Sequence, residues 1–288
     1  MSDDRGKSSV VDLVKDRLLA GSLTRSTTGR TDRTWPLPNQ PWVMRMTWSE
    51  LLFAHWPVDP AVVAKLLPAG VTLDTRDGKA WVGVVPFLMS NIAPRFCPPI
   101  PGLSRFLELN VRTYVTVDGK PGVWFFSLDA ESRIAVRVAR ATFNLPYMDA
   151  TMSIERGQGG EIQYKSGRTH RGEPSADYDA SYSAAGEFFE AEPGSLEHWL
   201  TARYCLYSAN RRGRIFRGEI DHPPWSLAPA NYTERTNTMG VGFGFGFGFR
   251  FEGEPHLLLA KPVDVRAWVV SRCDSLAGKA GDSQPIDD

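Results

Sequence analysis

The stretch Glu108 to Val115, ELNVRTYV, puts chemically capable side chains at every second position. Three of its residues (Val111, Thr113, Val115) are β-branched and Tyr114 is aromatic, a composition that favours a strand. Side chains on a strand alternate between its two faces. Leu109, Val111, Thr113 and Val115 therefore share one face, and Glu108, Asn110, Arg112 and Tyr114 share the other. On an exposed strand that polar face means little, since surface charges contribute little to stability. Enclosed, each charge must find a partner or shift its pKa. An enclosed Glu108 with a raised pKa would serve as a general acid or base, and Arg112 would hold a carboxylate bidentately. At roughly 3.3 Å per residue the two lie about 13 Å apart along the strand. That is too far for a neighbouring ion pair, but they can bracket whatever lies over Asn110.

Other chemistry-bearing patterns are sparse. Asp221 to Trp225, DHPPW, is a rigid turn with His222 before two prolines and Trp225 after them, a candidate pair for the mouth of a cavity. His55-Trp56-Pro57 has the same look. Walker, G-x-S-x-G, H-E-x-x-H, EF-hand and zinc-finger patterns are absent. The three cysteines (Cys97, Cys205, Cys273) are widely spaced with no C-x-x-C, and the five histidines form no H-x-x-x-H pair. Neither a disulfide framework nor a metal site is expected, and no cofactor is implied. Equal numbers of basic and acidic residues, 33 of each, argue against a nucleic-acid partner and against an anionic membrane surface. Acidic residues at Asp3, Asp4, Asp12 and Asp16 interrupt any signal-peptide core, and no apolar run reaches the roughly 18 residues of a membrane helix. A cytoplasmic location is the expectation, with reduced thiols. The expected partner is a small-molecule ligand or substrate; self-association into a homo-oligomer is left open.

The elements that must position these residues read as mainly β. Residues 1–40 are rich in Ser, Thr, Arg and Asp and read as a flexible tail, with a candidate helix in SVVDLVKDRLLAG. Residues 41–272 read as a single domain, and 273–288 as a second tail. Asp77-Gly78 punctuates the start of one strand, and VDGKPG joins two strands as a hairpin. Further strands are predicted over 149–156, 160–168, 176–183, 203–208, 213–221, 239–251 and 257–270. Helix signals are few: Asp59-Pro60 opens DPAVVAKLLPAG, Ser195 opens GSLEHWLTARY, and ESRIAVRVARATF would give about three turns. In GVGFGFGFGFRF the glycines alternate strictly, so G-x-G-x-x-G is never satisfied. It reads as a strand with a Phe face packed in a core and a Gly face leaving room for a ligand or backbone.

Seven segments occur in one order: LFAHWPVDPAVVAKLLPAGV, AWVGVVPF, FLELNVRTYV, GVWFFSLDAESRIAVRVAR, LPYMDA, HPPW and LLLAKPVDVRAW. Together they resemble the YqjF-like family, a domain family of unknown function, across about 42–270. Ala202 stands before Arg203 where the family pattern has an acid, so no acid role is carried over there. The family in turn resembles the acetoacetate decarboxylase-like superfamily through FLELNVRTYVTVDGKPGVWFFSLDAESRIAVRVARATFNLPYMDATM. That resemblance matches Glu108 to a strand glutamate, Arg140 to a helix arginine, and Leu145-Pro146 to a phenylalanine-proline. Tyr147 and Met148 stand where the two lysines of the decarboxylases would be.

The resemblance implies a mainly β (α+β) fold: an acetoacetate decarboxylase-like antiparallel β-barrel or cone with a few short peripheral helices and an internal site. It also removes the imine chemistry, because neither Tyr147 nor Met148 can form a Schiff base. Lys165 and Lys261 do not match the motif. The expected site therefore has Glu108 and Tyr147 as catalytic groups, with Asn110, Arg112, Tyr114, Arg140, His222 and Trp225 around the substrate. Arg140 shares a helical face with Arg133 and Arg137, so a solvated basic face competes with a place in the cavity. Two functions fit: a cofactor-free enzyme acting on a carboxylated or carbonyl, oxo-acid-like substrate by general acid/base chemistry of lyase (decarboxylase or dehydratase) or isomerase type, or a non-catalytic binder of such a molecule. A third is a scaffold making protein contacts through its tail helix and Phe-rich strand.

Overall fold

The computed structural model describes residues 31–134, 136–137, 145–210, 212–241, 251 and 253–273. They belong to one compact unit that begins at Thr31. Arg140, the candidate helix in the first 30 residues, the final residues from 274 and most of the Gly-Phe run (242–250) lie outside the described residues.

The strands that carry the site come early. β1 (Met44–Ser49) and β2 (Leu51–Val58) meet at Glu50, whose φ of 53° makes a sharp corner. No Gly or Pro marks that corner, which is why the pair is hard to see in the sequence. A short helix α1 (Pro60–Ala64) follows, capped by Asp59 accepting from the Ala61 N–H at 2.8 Å, as expected. The two-residue β3 (Thr72–Leu73) leads to Asp77-Gly78, both at positive φ, which turn the chain into the 15-residue β4 (Ala80–Pro94). β5 (Phe106–Val117) and β6 (Lys120–Ala130) form the predicted hairpin. Asp118 and Gly119 both take positive φ there, as a two-residue primed turn requires.

The rest follows as β7 (Tyr147–Arg156), β8 (Ile162–Arg168), β9 (Asp177–Ala184) and β10 (Phe189–Glu190). After α2 (Leu196–Thr201) come β11 (Cys205–Ala209), β12 (Ile215–Asp221), β13 (Ser226–Asn237), β14 (His256–Ala260), β15 (Val263–Ala267) and β16 (Ser271–Arg272). The single strand predicted over 257–270 is broken at Lys261-Pro262, because proline cannot donate to the ladder. Arg133, Ile134, Val136 and Arg137 are helical, within the segment expected to be a helix. Among the described residues no helix is long and apolar enough to cross a membrane.

Pairing closes the sheet on itself. One ring runs β4–β5–β6–β11–β12–β15–β1 and back to β4; a second runs β4–β5–β6–β7–β8–β9–β13–β14–β2 and back to β4. Most pairs are antiparallel, as predicted, but β6 pairs in parallel with both β7 and β11, so the sheet is mixed. The β6–β11 approach depends on Gly122, where a Cβ would sit 2.4 Å from the Cys205 carbonyl oxygen.

β4 and β5 are thus a wall shared by two interiors. Leu107, Leu109 and Val111 pack into the core of the second ring with Tyr164, Tyr178 and Tyr182. The opposite face of β5 looks into the first ring, among Val85, Phe87, Val123 and Phe125. A strand buried on both faces has no wet side, so the polar residues of ELNVRTYV point into the protein.

Residues 31–41 run against the barrel. Trp35 Nε1 donates to Glu219 Oε2 at 3.1 Å, and Arg33 bonds the same carboxylate and, at 2.8 Å, the Ile220 carbonyl. The flexible tail expected over residues 1–40 is therefore anchored in this last part.

Candidate functional site

Inside the first ring lies a cavity of about 310 Å³. β5 supplies three of its polar lining residues: Glu108, Asn110 and Arg112, at every second position as the strand requires. A bulge follows Val111, where the partner register on β6 skips from Ser127 to Phe125. The backbone of Glu108 is held from the other ring: Tyr164 Oη donates to the carbonyls of Glu108 (2.8 Å) and Phe87 (3.1 Å).

Glu108 is 2% exposed. Burial pushes its carboxyl up to about 8, opposed by a hydrogen bond from Tyr147 and reinforced by the nearby Asp129 charge. The carboxyl is thus largely protonated at neutral pH. Tyr147, the first residue of β7, donates its O–H to Glu108 Oε2 at 2.9 Å. Burial and the Glu108 carboxylate hold the phenol well above its usual range, so it stays a neutral donor. Behind this pair, Asp129 is clamped by Arg168 through contacts of 2.8–3.2 Å, with both side chains essentially inaccessible.

Arg112 occupies the far end of the β5 row. Its guanidinium lies 5.1 Å from the Phe53 ring centroid and 5.8 Å from the Tyr114 ring centroid. Its Nε has no hydrogen-bond partner, and among the described residues no carboxylate is paired with it. Tyr114 Oη in turn lies 2.5 Å from His55 Nε2. Burial and the Arg112 charge hold His55 well below its usual range, so its neutral ring accepts that proton. Gly83 makes room for the imidazole: a Cβ there would stand 2.8 Å from the ring.

Arg203 is a second guanidinium lining the cavity, and the reasoning from sequence did not select it. It bonds Asp74 Oδ2 at 2.6 Å and the Trp199 carbonyl at 2.7 Å, and stacks on Trp199 and Tyr114. Asp74 thus supplies an acid partner that Ala202 cannot. The one sequence signal was an arginine set among aromatic residues at the end of a short helix; its partner, 129 positions away, leaves no local trace.

The other expected site residues fall as follows. His222 and Trp225 line the cavity but are buried, not at an exposed mouth. His222 stacks on Tyr204, and its Nδ1 lies 2.8 Å from the Pro223 carbonyl; burial lowers its pKa. Trp225 Nε1 donates to the Thr201 carbonyl. Tyr114 is fully buried and does not line the cavity; its ring packs against Arg112. Arg140 lies outside the described residues, while Arg137 on the same segment pairs with Asp149 at 3.0 Å. Lys165 pairs with Asp179 and Lys261 lies over Phe188, both away from the cavity. Among the described residues no group of three or more His, Cys, Asp or Glu is placed to hold a metal.

The mixed double-ring sheet that encloses this cavity is an acetoacetate decarboxylase-like fold. Solved structures share it: the enduracididine biosynthesis enzyme MppR with HEPES buffer bound (TM-score 0.57, 14% identity, 81% of this chain and 88% of that one), and the same enzyme complexed with pyruvate (TM-score 0.54, 14% identity, 84% and 93%). An acetoacetate decarboxylase-like enzyme from Sphingomonas wittichii RW1 superposes with a TM-score of 0.54 at 13% identity, covering 86% of this chain and 100% of that one. Residues 45–264 match the model of DUF2071, described as an uncharacterized conserved protein, and the chain belongs to this family. It is 43% identical over 232 residues to the uncharacterized protein YqjF of Bacillus subtilis (strain 168), covering 81% of this chain and 93% of that protein. The family resemblance read from the sequence segments holds, and the acetoacetate decarboxylase-like one holds for the fold.

Proposed function

We propose that this protein is a small-molecule enzyme that binds a carboxylated or carbonyl substrate in the barrel cavity and moves a proton with Glu108, without a Schiff base. The observation that carries the reading is Glu108 itself: a buried carboxyl, raised to about 8, hydrogen-bonded by Tyr147 and lining a cavity that also holds Arg112. A carboxyl in that state is an acid at neutral pH and a base once ionised, which suits proton transfer beside a carbonyl. Arg112, cationic and without a carboxylate partner among the described residues, favours an anionic group on the ligand. No lysine is among the described residues lining the cavity, which favours chemistry without an imine. That MppR is known complexed with pyruvate supports an oxo acid as the ligand class. No resident cofactor is invoked.

The predominantly apolar lining favours a second reading, a binding protein of the same fold without turnover. A panel of oxo acids separates the two. Turnover that is lost in Glu108→Gln while ligand binding persists supports the enzyme. Saturable binding with no turnover of any acid supports the binder. If Glu108→Gln and Arg112→Ala change neither activity nor binding, the internal site is wrong.

A further inference from the structure

The cavity is larger than an oxo acid of three or four carbons needs. Its 310 Å³ corresponds to about ten water volumes at about 30 Å³ each, and so to a ligand of on the order of ten or more non-hydrogen atoms. The polar groups are laid out in a row along β5. Glu108 and Arg112 are separated by about 13 Å of strand. Between them Asn110 is 5% exposed, lines the cavity, and has its side-chain oxygen without a hydrogen-bond partner. A buried acceptor without a partner, on a side chain that lines the cavity, asks for a donor.

Beyond Glu108 the row turns apolar. Phe106 continues the same face of β5 and pairs with Met89 on β4; Met44 and Met46 face them from β1. Methionines are flexible and polarizable, and repack around aliphatic or aromatic chains. At this end Leu103 and Ile134 line the cavity while being 42% and 59% exposed, so its opening is rimmed by apolar side chains. From the rim inward the lining therefore reads apolar, acid, amide, guanidinium.

We infer that the ligand is an amphipathic carboxylic acid, with its carboxylate on Arg112, a hydroxyl or N–H opposite Asn110, the reacting carbon beside Glu108, and an apolar tail of about six or more carbons beyond it toward Phe106, Met89 and Met46. This rests on the site reading above and adds the substrate class to it. A short oxo acid would leave the methionine end empty.

Isothermal titration of the full chain with 3-hydroxybutyrate, 3-hydroxyoctanoate, 3-hydroxydecanoate and decanoate tests it. The expected affinity rises about fourfold for each methylene that becomes buried, so the ten-carbon acid binds at least a hundredfold tighter than the four-carbon acid. Arg112→Gln should remove most of the binding of 3-hydroxydecanoate, and Asn110→Leu should abolish its advantage over decanoate. Met89→Trp, filling the tail region, should weaken the long acids and spare 3-hydroxybutyrate. Equal affinity for the four- and ten-carbon acids, both lost in Arg112→Gln, overturns the tail and leaves the site reading standing. Binding of the long acids that is indifferent to both Arg112→Gln and Glu108→Gln overturns the two together. No binding by any acid of the series overturns the inference, and the wild-type series decides it even where a variant fails to fold.

Discussion

Tyr147 donates a hydrogen bond from its phenol to Glu108 across 2.9 Å inside the cavity. A neutral donor there changes what the glutamate can do. It favours the ionised carboxylate by one hydrogen bond without supplying a charge or a nucleophilic amine, and burial outweighs it.

Removing that donor gives a signed prediction. The Tyr147 bond lowers the Glu108 pKa, so Tyr147→Phe should raise it above about 8. A reaction that needs the acid form should then keep its rate to higher pH in Tyr147→Phe than in the wild type. The pH dependence of kcat/KM measures this, or carboxyl infrared titration where no turnover is found. An unchanged or lowered pKa would count against the pair as described.

Stability should depend on pH through the same residue. An unfolded glutamate ionises near 4.5, whereas Glu108 in the fold does so near 8. Between those values the unfolded chain releases a proton that the native one keeps, so this group costs stability as pH rises from 4.5 to 8 and adds no further change above that. The integrated loss is on the order of 5 kcal/mol. Glu108→Gln should abolish that slope, making the variant more stable relative to wild type at pH 8 than at pH 4.5. Urea unfolding at both pH values checks it.

The Asp129–Arg168 pair should be costly to break from one side. Both side chains are buried and the contact is bidentate. Asp129→Asn leaves Arg168 buried and without its counter-charge, with an expected loss of about 3–5 kcal/mol. Because the Asp129 charge raises the Glu108 pKa, the same variant should lower that pKa. Denaturant unfolding and carboxyl titration read the two effects separately.

Gly83→Ala probes how tightly the second layer is packed. The new Cβ would lie 2.8 Å from the His55 ring, which must shift. The overpacking should cost about 1–3 kcal/mol, and movement of His55 releases Tyr114 and, through it, Arg112. Ligand binding should weaken along with thermal stability, while the secondary structure seen by circular dichroism should stay the same.

Local chemistry in the sequence determined much of this protein. The alternation of ELNVRTYV set which four residues share a face, and Asp118-Gly119 set the hairpin, because both follow from bonds to near neighbours. The Asp59 and Ser195 caps set where two helices start for the same reason. The collinear segments pointed to the family and the fold. What the polar face of β5 looks at was decided only in three dimensions. A strand with one polar face can border bulk water or a cavity, and closure of two rings on β4–β5–β6 puts the protein interior on both sides. The β1–β2 corner was hidden because Glu50 takes positive φ without a turn residue to announce it. Arg203, Asp74 and the His55–Tyr114 contact were equally hidden, since each joins residues brought together across the barrel from distant parts of the chain. Burial, and with it the shift of Glu108 to about 8, is a property of that assembly and of no stretch of sequence within it.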